Sequence, residues 1–184
     1  MRFETLMTHR TGASGHRPSG LFSGCDSLTL LPAANGFCRI DRAMLGPISV
    51  GRVRSTGHEV DLSEHVAVSL VVPFSGRLVS AVGETGLSAR PGEALLFSPN
   101  RRQTRVVPEA DSQFLGAPIT LPVETLEDAA NRLDTRIRCS RFGSIALALG
   151  GGKLPELDEL LGLVRVLVSE LERARPGWRV PRPA

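Results

Sequence analysis

Histidine is scarce in this 184-residue chain: His9, His16, His58 and His65 are the only four, and no two stand at the short spacing that structural metal sites use. Cys25, Cys38 and Cys139 are odd in number and lack CxxC spacing, so neither a disulfide framework nor a zinc site is expected. Unpaired thiols suit a reducing compartment, which makes the cytoplasm the expected location. The longest mainly apolar stretch near the start, Leu28 to Ala34, is far too short to span a bilayer and has no basic run just before it. No signal peptide and no membrane partner are expected. GxSxG, GxGxxG and GxxxxGK[ST] are absent, which leaves hydrolase and nucleotide chemistry without a residue signature.

Lysine is nearly absent too, Lys153 being the only one. Positive charge is therefore carried by arginine, scattered from Arg2 to Arg182. The net charge of +3 and pI near 9.2 could suggest nucleic acid. Without a basic run or a basic helix face, solvated surface charge is the better reading. At 41% hydrophobic and 22% charged residues, the composition is that of a soluble globular protein, long enough for one domain with a sizeable core.

The richest stretch is Gly83 to Val107. Pro91-Gly92-Glu93 supplies the fixed φ and the permissive φ of a tight reversal. Ala94 to Phe97 is too short for a helix and right for a buried strand, and Gln103 to Val107 resumes an extended pattern after Ser98-Pro99. Further strands are predicted at Ser27–Leu31, Gly36–Ile40, Ile48–Arg54, Val66–Phe74, Arg77–Val82 and Ser112–Pro118, with Gly51 read as a possible bulge. About eight short strands at close, regular spacing argue for an all-β barrel or sandwich. Beyond Pro118 the period changes to that of helices. Pro122 suits a first helical turn, and Leu126, Ala129, Ala130 and Leu133 share one face. After Gly150-Gly151-Gly152 comes the strongest helix, Pro155 to about Ala174, more apolar than a single stripe requires.

The ordered set Leu45–Arg54, Val66–Gly76, Pro91-Gly92-Glu93, Ser98-Pro99 and Leu121–Leu126 resembles a cupin barrel. From Leu45 to about Leu171 it is similar to the sensor domain of AraC-type transcription regulators. The resemblance implies a mainly β fold with C-terminal α, a cupin-like jelly-roll β-barrel followed by two helices. The expected organisation is a mobile arm at 1–20, a barrel sensor at 21–120, a helical dimerisation region at 121–175 and a tail at 176–184. In sensors of this kind an N-terminal arm can fold over the ligand pocket. Full-length regulators continue into two helix-turn-helix units, and no recognition helix is evident in this chain. DNA contact is expected only through such a separate domain.

A metal cupin needs converging histidines. Asn100, Arg101 and Arg102 occupy the corner where a late histidine would stand, and His58 and His65 read as solvated residues of a polar connection, Ser55 to Glu64, that also holds Glu59, Asp61 and Glu64. No catalytic residue, metal or cofactor is expected. Arg54, Ser69, Phe97, Arg105 and Phe114 are the candidates to face a barrel cavity and fix a small organic effector, although one slip in register would reverse any of them. Leu160, Val164, Leu167 and Leu171 share a helical face and are the candidates for a homodimer interface. The alternatives are a small cupin isomerase or dioxygenase, or an interaction protein that pairs with a full-length regulator.

Overall fold

Alternating side chains and tight turns build two antiparallel sheets, and one long helix covers the outside of the larger. A computed structural model describes residues 2–11, 21–33, 35–110, 112–133, 145–150 and 155–173. The expectations for His16, Cys139, Gly151, Gly152 and the tail at 176–184 lie outside these residues.

In chain order the strands are β1 (Glu4–Arg10), β2 (Gly24–Leu30), β3 (Phe37–Leu45), β4 (Ile48–Ser55), β5 (His58–Ser63), β6 (Ala67–Ser75), β7 (Arg77–Val82), β8 (Thr85–Ala89), β9 (Ala94–Phe97), β10 (Arg101–Val107) and β11 (Phe114–Pro122). Helix α1 (Val123–Leu133), strand β12 (Ala146–Leu149) and helix α2 (Pro155–Arg173) follow. One sheet has the order β1-β3-β4-β11-β6-β9-β12 and the other β2-β5-β10-β7-β8. Strands distant in sequence thus lie side by side, as in a cupin-like jelly roll, with the two sheets stacked face to face. At the Pro91-Gly92 turn Gly92 has φ +91°, and the Glu93 N–H donates to Arg90 O at 2.9 Å, which closes a type II turn and starts β9.

Between the sheets lies a core that includes Cys38, Ile40, Leu78, Leu95, Phe97, Val106 and Phe114. A second core forms on the outer face of the seven-stranded sheet, where Ala43, Val50, Val72, Ala94 and Ala117 meet Leu157, Leu161, Val164, Val168 and Leu171 of α2. Three alanines on the sheet meet the larger side chains of the helix at this contact, and each buried Leu or Val contributes about 1.5–3 kcal/mol. Because α2 covers it, the seven-stranded sheet is buried on both faces in β4 and β6, which is why these strands are nearly continuous in apolar or buried residues.

The structure corrects several expectations. Residues Glu4–Arg10 of the supposed mobile arm form β1, an edge strand paired with β3. Ser55 to Glu64 is largely strand, with His58, Val60 and Leu62 buried and the half-buried Glu59 and Asp61 alternating with them, an alternation masked by its charged half. Gly51 marks no bulge, since the β3–β4 register runs unbroken from Leu45↔Ile48 to Cys38↔Ser55. Leu21 and Pro118 fill the space its Cβ would need, each about 2.8 Å away. Pro122 ends β11 and precedes the helix, whose first N–H, on Val123, donates to Val66 O at 3.0 Å. The region expected to be helical also contributes β12, paired with β9.

Candidate functional site

Between the two sheets the packing leaves a cavity of about 50 Å³ lined almost wholly by apolar side chains, Val71, Leu95, Phe97 and Phe114 among them. Three polar side chains interrupt this lining: His58, Thr104 and Arg102. Thr104 is satisfied, its hydroxyl 2.9 Å from Ser80 Oγ. His58 is buried with Nδ1 2.9 Å from Ser55 Oγ, and desolvation pushes it down to about 4, so it is neutral at pH 7.

Arg102 is the unusual member. It projects from β10 across the space between the sheets, only 4% exposed, with its guanidinium 4.5 Å from the centre of the Phe97 ring and 5.2 Å from that of Phe22. Nη1 donates to Asn100 Oδ1 at 3.0 Å, whereas Nη2 has no hydrogen-bond partner. Burial pushes Arg102 down to about 10, opposed by the charge of Glu64, so it remains a cation at neutral pH. Glu64 is itself saturated. Its carboxylate takes N–H and O–H donation from Ser23 and the backbone N–H groups of His65, Val66 and Ala67. Burial opposes its ionisation, but these donors outweigh that and hold it below the usual carboxylate range.

The sheet register extends this polar end. Across the seven-stranded sheet Ser49 lies opposite Thr120, Thr120 opposite Ser69, and Ser69 opposite Phe97, on which Arg102 stacks. Among the described residues, the buried side-chain polar atoms without a hydrogen-bond partner are Ser49 Oγ, Ser69 Oγ, Asn100 Nδ2 and Arg102 Nη2. All four belong to this end of the sandwich.

Phe97 and Phe114 line the cavity, and Ser69 is buried on the same sheet face beside Phe97. Arg54 and Arg105 point elsewhere. Arg54 Nη2 lies 3.1 Å from Glu172 Oε1 on the outer face, and Arg105 points to solvent from the far side of β10, 3.4 Å from Glu59. Arg102 was passed over in the sequence as a lining residue; once the structure turns Val106 inward, parity puts Thr104 and Arg102 inward as well. His58 also belongs to the lining, contrary to its reading as a solvated loop residue.

The four helical candidates divide. Val164 and Leu171 are buried against the barrel, Leu167 is partly buried, and Leu160 is 42% exposed. The outward apolar stripe of α2 consists of Leu160, Leu163 (67% exposed) and Val166 (61% exposed).

On the same outer face Arg52 bridges two acids, with Nη2 2.6 Å from Asp41 Oδ2 and Nη1 2.6 Å from Glu172 Oε1. Burial pushes the Cys38 thiol up to about 12, which marks it as a packed core residue and not a nucleophile. Among the described residues no group of three or more His, Cys, Asp or Glu side chains is placed to hold a metal ion, and no helix is long and apolar enough to cross a membrane.

Residues 24–181 match the family model described as AraC-binding-like domain. No curated protein matches the sequence. Among solved structures, the AraC-like transcriptional activator CuxR superposes with a TM-score of 0.56 at 15% identity, over 79% of this chain and 55% of the CuxR chain. The chain thus spans about half the length of that protein. A cupin 2 conserved barrel domain protein from Salinispora arenicola aligns over 52% of this chain and 84% of its own, at 18% identity and a TM-score of 0.39.

Proposed function

Because the chain belongs to the AraC-binding-like domain family, we propose that it is a ligand-sensing and dimerisation domain that admits a small organic effector between its two sheets. The observation that carries this reading is the interior cavity, apolar over most of its wall, with the buried side chains of Arg102 and His58 breaking the lining. A few polar groups converging on an apolar concavity are what orient and select a small ligand. At about 50 Å³ there is room for roughly four water-sized groups, so the effector is small or its entry widens the space between the sheets.

Dimerisation is assigned to the outward stripe Leu160, Leu163 and Val166, which a second copy of α2 would cover across a two-fold axis. DNA contact in a regulator built on this domain would come from a separate helix-turn-helix unit. A cupin enzyme is the weaker reading, because the cavity lining holds a single histidine, His58, and no carboxylate, too few ligands for a metal site.

A thermal-shift screen of small organic molecules against the full chain tests the sensor reading. The expected result is at least one ligand of 1:1 stoichiometry that raises the melting temperature and protects β9 and β10 amides from hydrogen exchange. Protection confined to another surface would sink it.

A further inference from the structure

We propose that the group recognised inside the sandwich is a carboxylate held by Arg102, and that the effector is accordingly a short-chain carboxylic acid. This rests on the reading of the interior as an effector site and adds the chemistry of the occupant.

The argument starts from an imbalance of donors and acceptors. A guanidinium has no acceptor of its own and can only be satisfied by one supplied to it. Arg102 is almost completely buried, yet Nη2 donates to nothing. The nearby acid, Glu64, is committed to Ser23 and to the backbone N–H groups of His65, Val66 and Ala67, so it balances charge at a distance without accepting from Arg102. The Phe22 and Phe97 rings stabilise the cation through their faces but supply no acceptor atom.

Asn100, whose Oδ1 accepts from Arg102 Nη1, leaves its own Nδ2 donor unpartnered as well. A buried donor left unmade costs about 1–3 kcal/mol, more for a charged group, and an acceptor-bearing occupant of the cavity that Arg102 lines removes that cost. A carboxylate presents two oxygens and about four lone-pair sites, and it neutralises the guanidinium in a charge-assisted bond.

The rest of the lining limits the remainder of the molecule. Val71, Leu95 and Phe114 offer it only apolar surface, and the small volume restricts it to a few carbon atoms. Arg102 and Phe97 come from opposite sheets, so an acid bound here bears on the contact between them.

The test is isothermal titration calorimetry of the full chain with acetate, propionate, butyrate and valerate, each paired with its primary amide. The measurements are made on the wild type, Arg102→Gln and Arg102→Lys. At least one acid is expected to bind about tenfold or more tighter than its amide. That preference should vanish in Arg102→Gln and survive in part in Arg102→Lys. If an amide binds as well as its acid, or the glutamine variant keeps the preference for acid, the carboxylate assignment is overturned while the sensor reading stands. If neither acids nor amides bind, the assignment falls as well, and the wider screen alone decides the sensor reading. Should Arg102→Gln fail to fold, the comparison of acid with amide in the wild type decides the matter.

Discussion

Arg52 on β4 and Glu172 on α2, 120 residues apart in sequence, form an ion pair of 2.6 Å between Nη1 and Oε1. The same guanidinium donates to the buried Asp41 from Nε at 3.0 Å and from Nη2 at 2.6 Å, and lies 4.7 Å from the Phe3 ring. One side chain therefore joins the N-terminal residues, the barrel and the last turn of the helix. Burial opposes the charge on Asp41, but donation from Arg52, Thr5 and Arg39 outweighs it and holds the carboxyl below the usual range.

Removing Arg52 should be costly, because Asp41 would stay buried after losing its main counter-charge. Arg52→Leu is expected to destabilise the fold by about 3–5 kcal/mol, the usual penalty for breaking a buried pair. Glu172 is about a third exposed, so Glu172→Gln should cost under about 1 kcal/mol. Urea unfolding of both variants checks the ranking, and equal losses would contradict it.

Acid should weaken the fold through His58. Its native value of about 4 lies below the ordinary histidine value of 6.5, so between these limits the unfolded chain binds a proton that the native chain does not. Stability therefore falls as pH drops from 6.5 towards 4, by about 3 kcal/mol at most for this group. Chemical denaturation at a series of pH values, comparing wild type with His58→Gln, isolates the effect. The variant should show a shallower loss over that window, and parallel curves would refute the assignment.

Charge on α2 should have opposite consequences on its two faces. Leu163→Asp and Val166→Asp are expected to convert a dimer into a folded monomer, since both side chains already meet solvent in the single chain. Val164→Asp is expected to unfold the protein, because Val164 packs against the barrel and an aspartate there would be desolvated without a partner. Sedimentation equilibrium with circular dichroism separates these outcomes. A wild type that is monomeric at tens of micromolar removes the dimer from the proposal.

A structural glycine offers a check on the jelly roll itself. Gly76 has φ +77° between β6 and β7, and a Cβ there would lie 2.5 Å from Val107 O. Gly76→Ala should destabilise by more than about 1 kcal/mol, since both strain and collision oppose it. Gly83→Ala, with φ +57° and open space around it, should cost less. Thermal melts of the pair decide whether the close approach of strands is as described.

Sequence alone was enough for what depends on local chemistry and period. The Pro91-Gly92 reversal, the short strand Ala94–Phe97 and the helical spacing from Pro155 onward could all be read without coordinates, because turn residues and hydrophobic periodicity act over a few neighbours. Which face of each strand turns inward depends on partners far along the chain, so only tertiary structure could decide it. Arg102 and Arg105 lie three residues apart on one strand, and opposite parity sends the first to the buried face of Phe97 and the second to solvent. The same holds for α2, whose excess of apolar residues was plain in the sequence. Only the position of the seven-stranded sheet determined that Val164 and Leu171 would be buried and Leu163 and Val166 left outside, because burial belongs to the packed pair of surfaces and not to either one alone.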